Sequence, residues 1–329
     1  MVMDILNGKN VLVIGGMGFI GSSVSHALVR EGANVTIMDN KFRGLGANEF
    51  NLRGIEERVK IDHSDIRSFD SLLSIVPGFD IIYNFAGQPM HNLSSKDPFL
   101  DRALNSGGHL NLLEACRKEN HDARILYASS RMQIGQVEEI PVDENHPCRP
   151  KSLYGSSKLA AENDSLYYHR ERGLSTTVFR IANPYGPRSQ MRTSNYCIVN
   201  WFLGQLMKGK SITMYGNGEQ VRDYIYIDDL SSAFLLAGIT PNLGGEVFNI
   251  GSGEGTSFRS MMDTLINVVG KGNRIDTPWP DDYENIETGD YVSDIAKARS
   301  LLKWGPKVSF DDGIRLTHEF YKEHGRYYF

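Results

Sequence analysis

The 329-residue chain has a net charge of −5 and no long run of one sign, a balance without an electrostatic footprint for nucleic acid or a membrane surface. Its length is enough for one large core or two joined ones, and no apolar run reaches bilayer-spanning length. Cys116, Cys148 and Cys197 fit neither a disulfide framework nor a CxxC metal site, and MVMDILNGKN lacks the basic and apolar regions of an export signal, so a cytoplasmic protein without a metal is expected.

The chain becomes informative at Asn10. Val11–Ile14 is a short, wholly apolar run, suited to a strand buried on both faces of a parallel sheet. It leads straight into Gly15, Gly16, Gly18 and Gly21, then into helical spacing through Ile20, Val24, Ala27 and Leu28. Gly16-x-Gly18-x-x-Gly21 meets the dinucleotide fingerprint, and Gly15-x-x-Gly18-x-x-Gly21 meets a variant of it. Glycine permits the tight turn, close backbone approach to a pyrophosphate and packing of helix on strand. Gly15, Gly18, Phe19, Ile20 and Gly21 are therefore the expected pyrophosphate contacts, at a helix N-terminus whose open N–H groups favour anions. A second strand, Val35–Met38, ends in Asp39 where a carboxylate meets an adenosine ribose, with Asn40 beside it. Asp39 would repel a 2′-phosphate, which favours NAD over NADP, while Lys41 and Arg43 nearby pull the other way.

A glycine-bearing loop precedes a strand at Arg58–Ile61. Asp65, with Ile66 after it, either accepts from an adenine amino group or caps the helix starting near Ser68. Asp80–Phe85 is a buried strand that closes on Ala86-Gly87-Gln88, small residues that leave room for a ligand at the strand's C-terminal end. Phe99–Glu119 has the spacing of a long helix. Its Gly107-Gly108 costs about 1 kcal/mol per glycine relative to alanine, so close packing on the sheet or cofactor is expected there. A strand at Arg124–Ala128 runs into Ser129-Ser130, a helix spans Leu153–Arg172, and a strand follows at Ser175–Arg180. This alternation predicts an α/β doubly wound parallel sheet of Rossmann type with right-handed crossovers.

At Asn183 the pattern changes to a stretch rich in turn formers, which cannot extend a central strand. A helix at Cys197–Lys208, a short strand near Ile212, a helix through Ala237 and a strand at Val247–Ile250 follow. Helices at Phe258–Val269 and Ser293–Leu302 complete the series. The expected division is a dinucleotide domain over 1–182 and, over 183–329, a smaller α/β lobe that binds substrate and sends the chain back to the large sheet.

Tyr154-x-x-x-Lys158 opens the Leu153–Arg172 helix, and a spacing of four places both side chains on one face. A free tyrosine titrates near ~10; an ammonium close by favours the phenolate and lowers that pKa, and a cofactor nicotinamide's positive charge adds to the effect. Ser130 would share a hydrogen bond with Tyr154 and a substrate hydroxyl, or the serine pair simply caps its turn. Lys158 could also hold the nicotinamide ribose.

With these residues the chain resembles the extended short-chain dehydrogenase/reductase family, the nucleotide-sugar epimerases and dehydratases of UDP-glucose 4-epimerase type. The resemblance runs from the Gly15–Gly21 turn through Asn183-Pro184-Tyr185-Gly186-Pro187-Arg188 and Arg222-Asp223-Tyr224-Ile225-Tyr226 to Trp304-Gly305-Pro306. It implies that Asn105 contacts the cofactor, that Ala86 and Gly87 line its nicotinamide side, and that Asn183 and Arg222 hold a substrate diphosphate. Gln88 is placed toward the substrate. Asn183 and a forked Arg222 guanidinium suit phosphate oxygens, although Arg222 could instead pair with Asp223 or Asp228. The resemblance further implies NAD, a nucleoside-diphosphate sugar and a homodimer paired through the 99–119 and 153–172 helices, with Leu110, Leu113, Leu166 and Tyr167 at the seam.

Three departures from the family pattern bear on the reaction. The carboxylate that 4,6-dehydratases and uronic-acid decarboxylases carry two residues after the catalytic serine or threonine is missing from Ser130-Arg131-Met132. Glu287 stands near Gly289-Asp290, where a diphosphate-binding arginine is common, and Pro89-Met90-His91 follows Gln88. The expected activity is epimerisation of a sugar hydroxyl, at C4 first of all, by transient oxidation. A 4,6-dehydratase, a 4-ketoreductase and a non-catalytic NAD sensor are the alternatives.

Overall fold

A computed structural model describes residues 3–279 and 289–329. Six strands come from the first half of the chain: β1 (Asn10–Ile14), β2 (Asn34–Met38), β3 (Val59–Asp62), β4 (Ile81–Asn84), β5 (Arg124–Ser130) and β6 (Ser175–Ile181). The second half adds β7 (Asn183–Tyr185), β8 (Ile212–Tyr215), β9 (Val221–Tyr226), β10 (Val247–Ile250), β11 (Gly255–Ser257) and β12 (Arg274–Thr277).

The large sheet is seven-stranded in the order β10-β6-β5-β4-β1-β2-β3, and every pairing in it is parallel. This is the doubly wound, Rossmann-like sheet that the alternation predicts. Alternate residues of β1 face opposite layers. Val11 and Val13 pack with the Phe19–Arg30 and Ile227–Ile239 helices, while Leu12 and Ile14 pack with the Gly108–Glu119 helix. Chain order reverses between β1 and β4, so a crevice opens beyond their carboxyl ends, the place where such sheets bind ligands.

After β6 the chain leaves the large sheet. β7 joins a three-stranded sheet, β11-β9-β7, and β8 pairs with β12. The return crossing is β10, which pairs with β6 from Val247 opposite Val178 to Ile250 opposite Ile181.

Local signals explain the helix that carries Tyr154. Ser152 accepts from the Gly155 N–H at 3.1 Å at its start, and Gly173 adopts φ 74° at its end. The stretch read as one helix from Phe99 differs. Asp97 caps a short helix, Pro98–Arg102; a π turn spans Ala103–Gly107; a regular helix resumes at Gly108. A Cβ on Gly108 would lie 2.8 Å from Ile66 Cγ2, the close packing that the glycine pair led us to expect. The Ser293–Leu302 helix is shorter than expected, Ala296–Leu301, because Ser293 bridges to Val142 and gives its N–H to Asp223 instead. No helix among the described residues is long and apolar enough to cross a membrane.

Candidate active site

Two cavities meet beyond the sheet's carboxyl edge. The first is a narrow groove over the Gly15–Gly21 turn. Gly15 holds φ 77°, and a Cβ there would lie 2.7 Å from the Ala86 N; one on Gly21 would lie 2.2 Å from the Gly15 carbonyl oxygen. Gly18 is the N-cap of the Phe19–Arg30 helix and gives it no side-chain cap, so that end is built for an anion from outside. Gly15, Gly18, Phe19, Ile20, Gly21, Asp39, Asn40, Asp65, Ile66, Ala86 and Gly87 all line this groove.

Asp39 is buried at the end of β2. Its carboxylate accepts from the Met17 N–H at 2.9 Å and the Lys41 N–H at 2.8 Å, while burial still raises its pKa. The Lys41 ammonium pairs with Glu49 at 2.8 Å, which ties its charge to a neighbouring acid. Of the two readings of Asp65, helix capping is overturned: Ser68 caps that helix by accepting from the Ser71 N–H. Asp65 accepts from Asn40 Nδ2 at 2.8 Å and pairs with Arg67 at 2.6 Å. A glycine turn closed to side chains, an uncapped helix end and a buried carboxylate after β2 fit a dinucleotide.

The second cavity, about 910 Å³, is lined by Ser130, Tyr154 and Lys158 together with Gly87, Gln88, Asn183 and Arg222. Ser130 caps its turn, its Oγ accepting from the Met132 N–H at 3.2 Å, and its hydroxyl also hydrogen-bonds Tyr154. Lys158 donates from Nζ to the Ala128 carbonyl at 2.9 Å, with Nζ 4.9 Å from the Tyr127 ring centroid and 5.9 Å from that of Tyr154.

The phenolate expected at Tyr154 rests on Lys158 and the positive nicotinamide together; the protein's own burial of the phenol acts in the opposite direction. Burial pushes Tyr154 up to about 12, with the Ser130 hydrogen bond opposing it, and burial pushes Lys158 down to about 8. Both side chains are almost wholly enclosed, so desolvation outweighs the attraction that spacing alone suggests.

The remaining expected residues are placed as follows. Asn105 lines neither cavity; it sits behind Gly87-Gln88, donating from Nδ2 to the Gln88 carbonyl at 3.1 Å and accepting the Gln88 N–H at 3.2 Å. Gln88 reaches the cavity wall, but its side-chain amide donates to Asp101 and to the Met90 carbonyl. Asn183 accepts from Arg131 Nε at 3.2 Å and donates to the Asp223 carbonyl at 2.8 Å. Arg222 donates to the Val221 and Gly289 carbonyls, and the Asp223 carboxylate takes N–H groups of Ser252, Gly253 and Ser293. Arg131 lines the cavity beside Ser130, its guanidinium carbon 5.1 Å from the Tyr291 ring centroid. The His91 side chain and Glu287 lie outside the described residues.

Sequence reasoning missed the aromatic end of this cavity, where the Tyr215 and Trp279 rings lie 5.9 Å apart, and it missed Asp101. Nothing in the spacing of Tyr215 or Trp279 brings them together. Asp101 did carry a signal, since it stands four residues before Asn105 and so on the same face.

The fold and the glycine-turn groove define a dinucleotide-binding protein of Rossmann type. Residues 11–251 match the NAD dependent epimerase/dehydratase family; the chain belongs to that family, and NAD is its cofactor. It is 31% identical to a putative UDP-glucose 4-epimerase of Methanocaldococcus jannaschii over 96% of this chain and 99% of that protein. It is 30% identical to the CDP-paratose 2-epimerase of Salmonella typhi, over 94% of this chain and 98% of that one. Among solved structures, the UDP-glucose 4-epimerase of Thermotoga maritima with UDP-glucose superposes with a TM-score of 0.88 at 30% identity, covering 96% of this chain and 99% of that one. Its relatives are nucleotide-sugar epimerases, decarboxylases and 4,6-dehydratases.

Proposed function

We propose that this protein is a nucleotide-sugar epimerase that inverts a sugar hydroxyl, at C4 first of all. The observation that carries the reading is Ser130, Tyr154 and Lys158 together on the wall of the larger cavity, which meets the cofactor groove at Gly87, with Arg131 and Met132 where a dehydratase carries its acid. NAD held over the Gly15–Gly21 turn would supply a positive ring and a hydride acceptor able to return the hydride to the opposite face of the sugar carbon. Tyr154 takes the proton of the sugar hydroxyl and gives it back, and Ser130 bridges that hydroxyl and the phenol. Lys158 lowers the energy of the phenolate electrostatically. Arg222 and Asn183 hold the diphosphate, and Tyr215 and Trp279 stack on the base. The lobe formed by 183–329 is mainly the substrate lobe.

Dehydration of a 4-keto sugar needs a base at C5 and an acid for the leaving C6 hydroxyl. Arg131 is always cationic and Met132 transfers no protons, so neither does this work. The test is mass spectrometry and chromatography after incubation with UDP-, GDP-, CDP- and dTDP-sugars. Unchanged mass with altered retention is the expected result. Loss of one water would establish a dehydratase, and no turnover of any sugar by NAD-loaded protein would favour the sensor.

We also propose a homodimer through the 98–119 and 153–172 helices, where Leu110 and Tyr167 are each 40% exposed. Leu113 is withdrawn from that seam, because it is wholly buried against its own sheet.

A further inference from the structure

One acid lies buried beneath the reacting corner. Asp101, on the Pro98–Arg102 helix, is 0% exposed. Its Oδ1 accepts from Gln88 Nε2 and from Asn105 Nδ2, both at 3.0 Å, and its Oδ2 accepts from Ser157 Oγ at 2.5 Å. Each donor adjoins the site. Gln88 follows Gly87 on the wall shared by both cavities, Asn105 clamps the Gln88 backbone from both sides, and Ser157 immediately precedes Lys158.

All three donors are neutral, so a neutral acceptor could satisfy much of this geometry; a full charge in so buried a place needs a further reason. Lys158 provides it. That ammonium is buried too, and its close partners are a carbonyl and two aromatic rings, none of them anionic. We propose that Asp101 is the positioning residue of this site, holding Gln88, Asn105 and Ser157 in register while serving as the counter-charge of the Lys158 ammonium.

The other charged and titratable groups around the Lys158 helix are engaged elsewhere or carry no net charge toward it. Glu162 and Arg180 pair with each other at 2.6 Å, Arg102 donates to Ser156, and Glu114 binds Arg117 and Tyr168. His109 lies between Asn84 and Ser165, and burial lowers its pKa to about 3, so it is neutral. Asp164, whose pKa burial raises, acts on Tyr127 and Tyr168. Asp101 is the acid that opposes burial at Lys158, and it also works against the Tyr154 phenolate. Replacing Asp101 by Asn therefore moves both groups the same way. Lys158 loses its proton at lower pH, drawing the alkaline limb of activity down, and Tyr154 ionises at lower pH, drawing the acid limb down with it.

The inference rests on Tyr154 and Lys158 as the reacting pair, but its first readout needs no turnover. In protein labelled with ¹³Cε-lysine, the Lys158 resonance is assigned by its absence from Lys158→Arg and then titrated. In Asp101→Asn the Lys158 midpoint is expected to fall by about one pH unit relative to the parent, with the alkaline limb of kcat/KM following it. Asp101→Glu keeps the charge and is expected to keep the parent midpoint even where altered geometry lowers kcat. An unmoved midpoint in Asp101→Asn, with activity lost equally at every pH, would overturn the proposal, as would an equal fall in Asp101→Glu. Should Asp101→Asn fail to fold by circular dichroism, Asp101→Ser, equally neutral and smaller, takes its place in the same titration. A shifted midpoint in a protein that turns over no nucleotide sugar would sink the epimerase reading and leave Asp101's role standing.

Discussion

The two cavities that meet at Gly87 are built from different materials. The cofactor groove is made largely of backbone: the Gly15–Gly21 turn, the open end of the Phe19–Arg30 helix and the close approach of Gly15 to Ala86, with Asp39 buried at its edge. The larger cavity is made of side chains gathered from Lys96, Arg131, Arg222, Tyr215 and Trp279, which the chain spreads over far more than one turn or helix. A backbone site recognises what its ligands share, a pyrophosphate and a ribose, and its glycines must fall at fixed short spacings. A side-chain site recognises what distinguishes ligands, and any residue that reaches the cavity can contribute.

The largest effect tests the proposed reacting corner of the larger cavity. Tyr154→Phe removes only the oxygen that hydrogen-bonds Ser130, so turnover should fall about 10³-fold while NAD stays bound. Activity and bound-NAD absorbance on the same preparation check this. Retention of near-normal turnover would mean that Tyr154 is not the acid–base group.

Next come the glycines, which separate folding from ligand approach within one turn. An added Cβ on Gly21 would overlap the Gly15 carbonyl oxygen at 2.2 Å, whereas one on Gly18 would stand 3.3 Å from the same atom. Gly21→Ala should therefore lower stability by about 1–3 kcal/mol and lose NAD as well. Gly18→Ala should keep its melting temperature yet bind NAD about 10–100-fold more weakly, because its methyl stands where the phosphates approach. Thermal melts and NAD titration on the pair are the measurement. Equal destabilisation by both would show that the groove is only a packing feature.

The same contrast explains what could be read from the sequence. The helix near 153–172 was legible in place because both of its end signals are local: a serine cap at Ser152 and a glycine in the left-handed region at Gly173. β10 was legible as a strand, and a return crossing was expected. The π turn at Ala103–Gly107 was not, since helical spacing runs through it and only the approach of Gly108 to Ile66 and the clamp of Asn105 on Gln88 reveal it. Tyr154 and Lys158 were legible as a pair, but their burial was not. Burial depends on what packs over them from remote parts of the chain, and at the tyrosine it opposes the shift expected from Lys158 and the nicotinamide.

The smallest effect concerns the aromatic end of the larger cavity, far from the proposed reacting corner along the chain. On the proposed reading Tyr215 and Trp279 stack on the substrate's base, and stacking is sequence-tolerant because every base has a π face. Truncating Tyr215→Ala should cost about 1 kcal/mol, roughly a fivefold rise in KM. The contact is made equally in ground state and transition state, so kcat should stay unchanged. The same reasoning predicts that the loss is similar for uridine, cytidine and thymidine diphosphate sugars, with any choice among them resting on polar groups such as Thr213 and Gln220. Steady-state kinetics with two accepted nucleotides distinguishes the outcomes. A fall in kcat alongside the rise in KM would show that binding energy from the base end is used to align the sugar against Tyr154, and that the side-chain cavity acts as one unit.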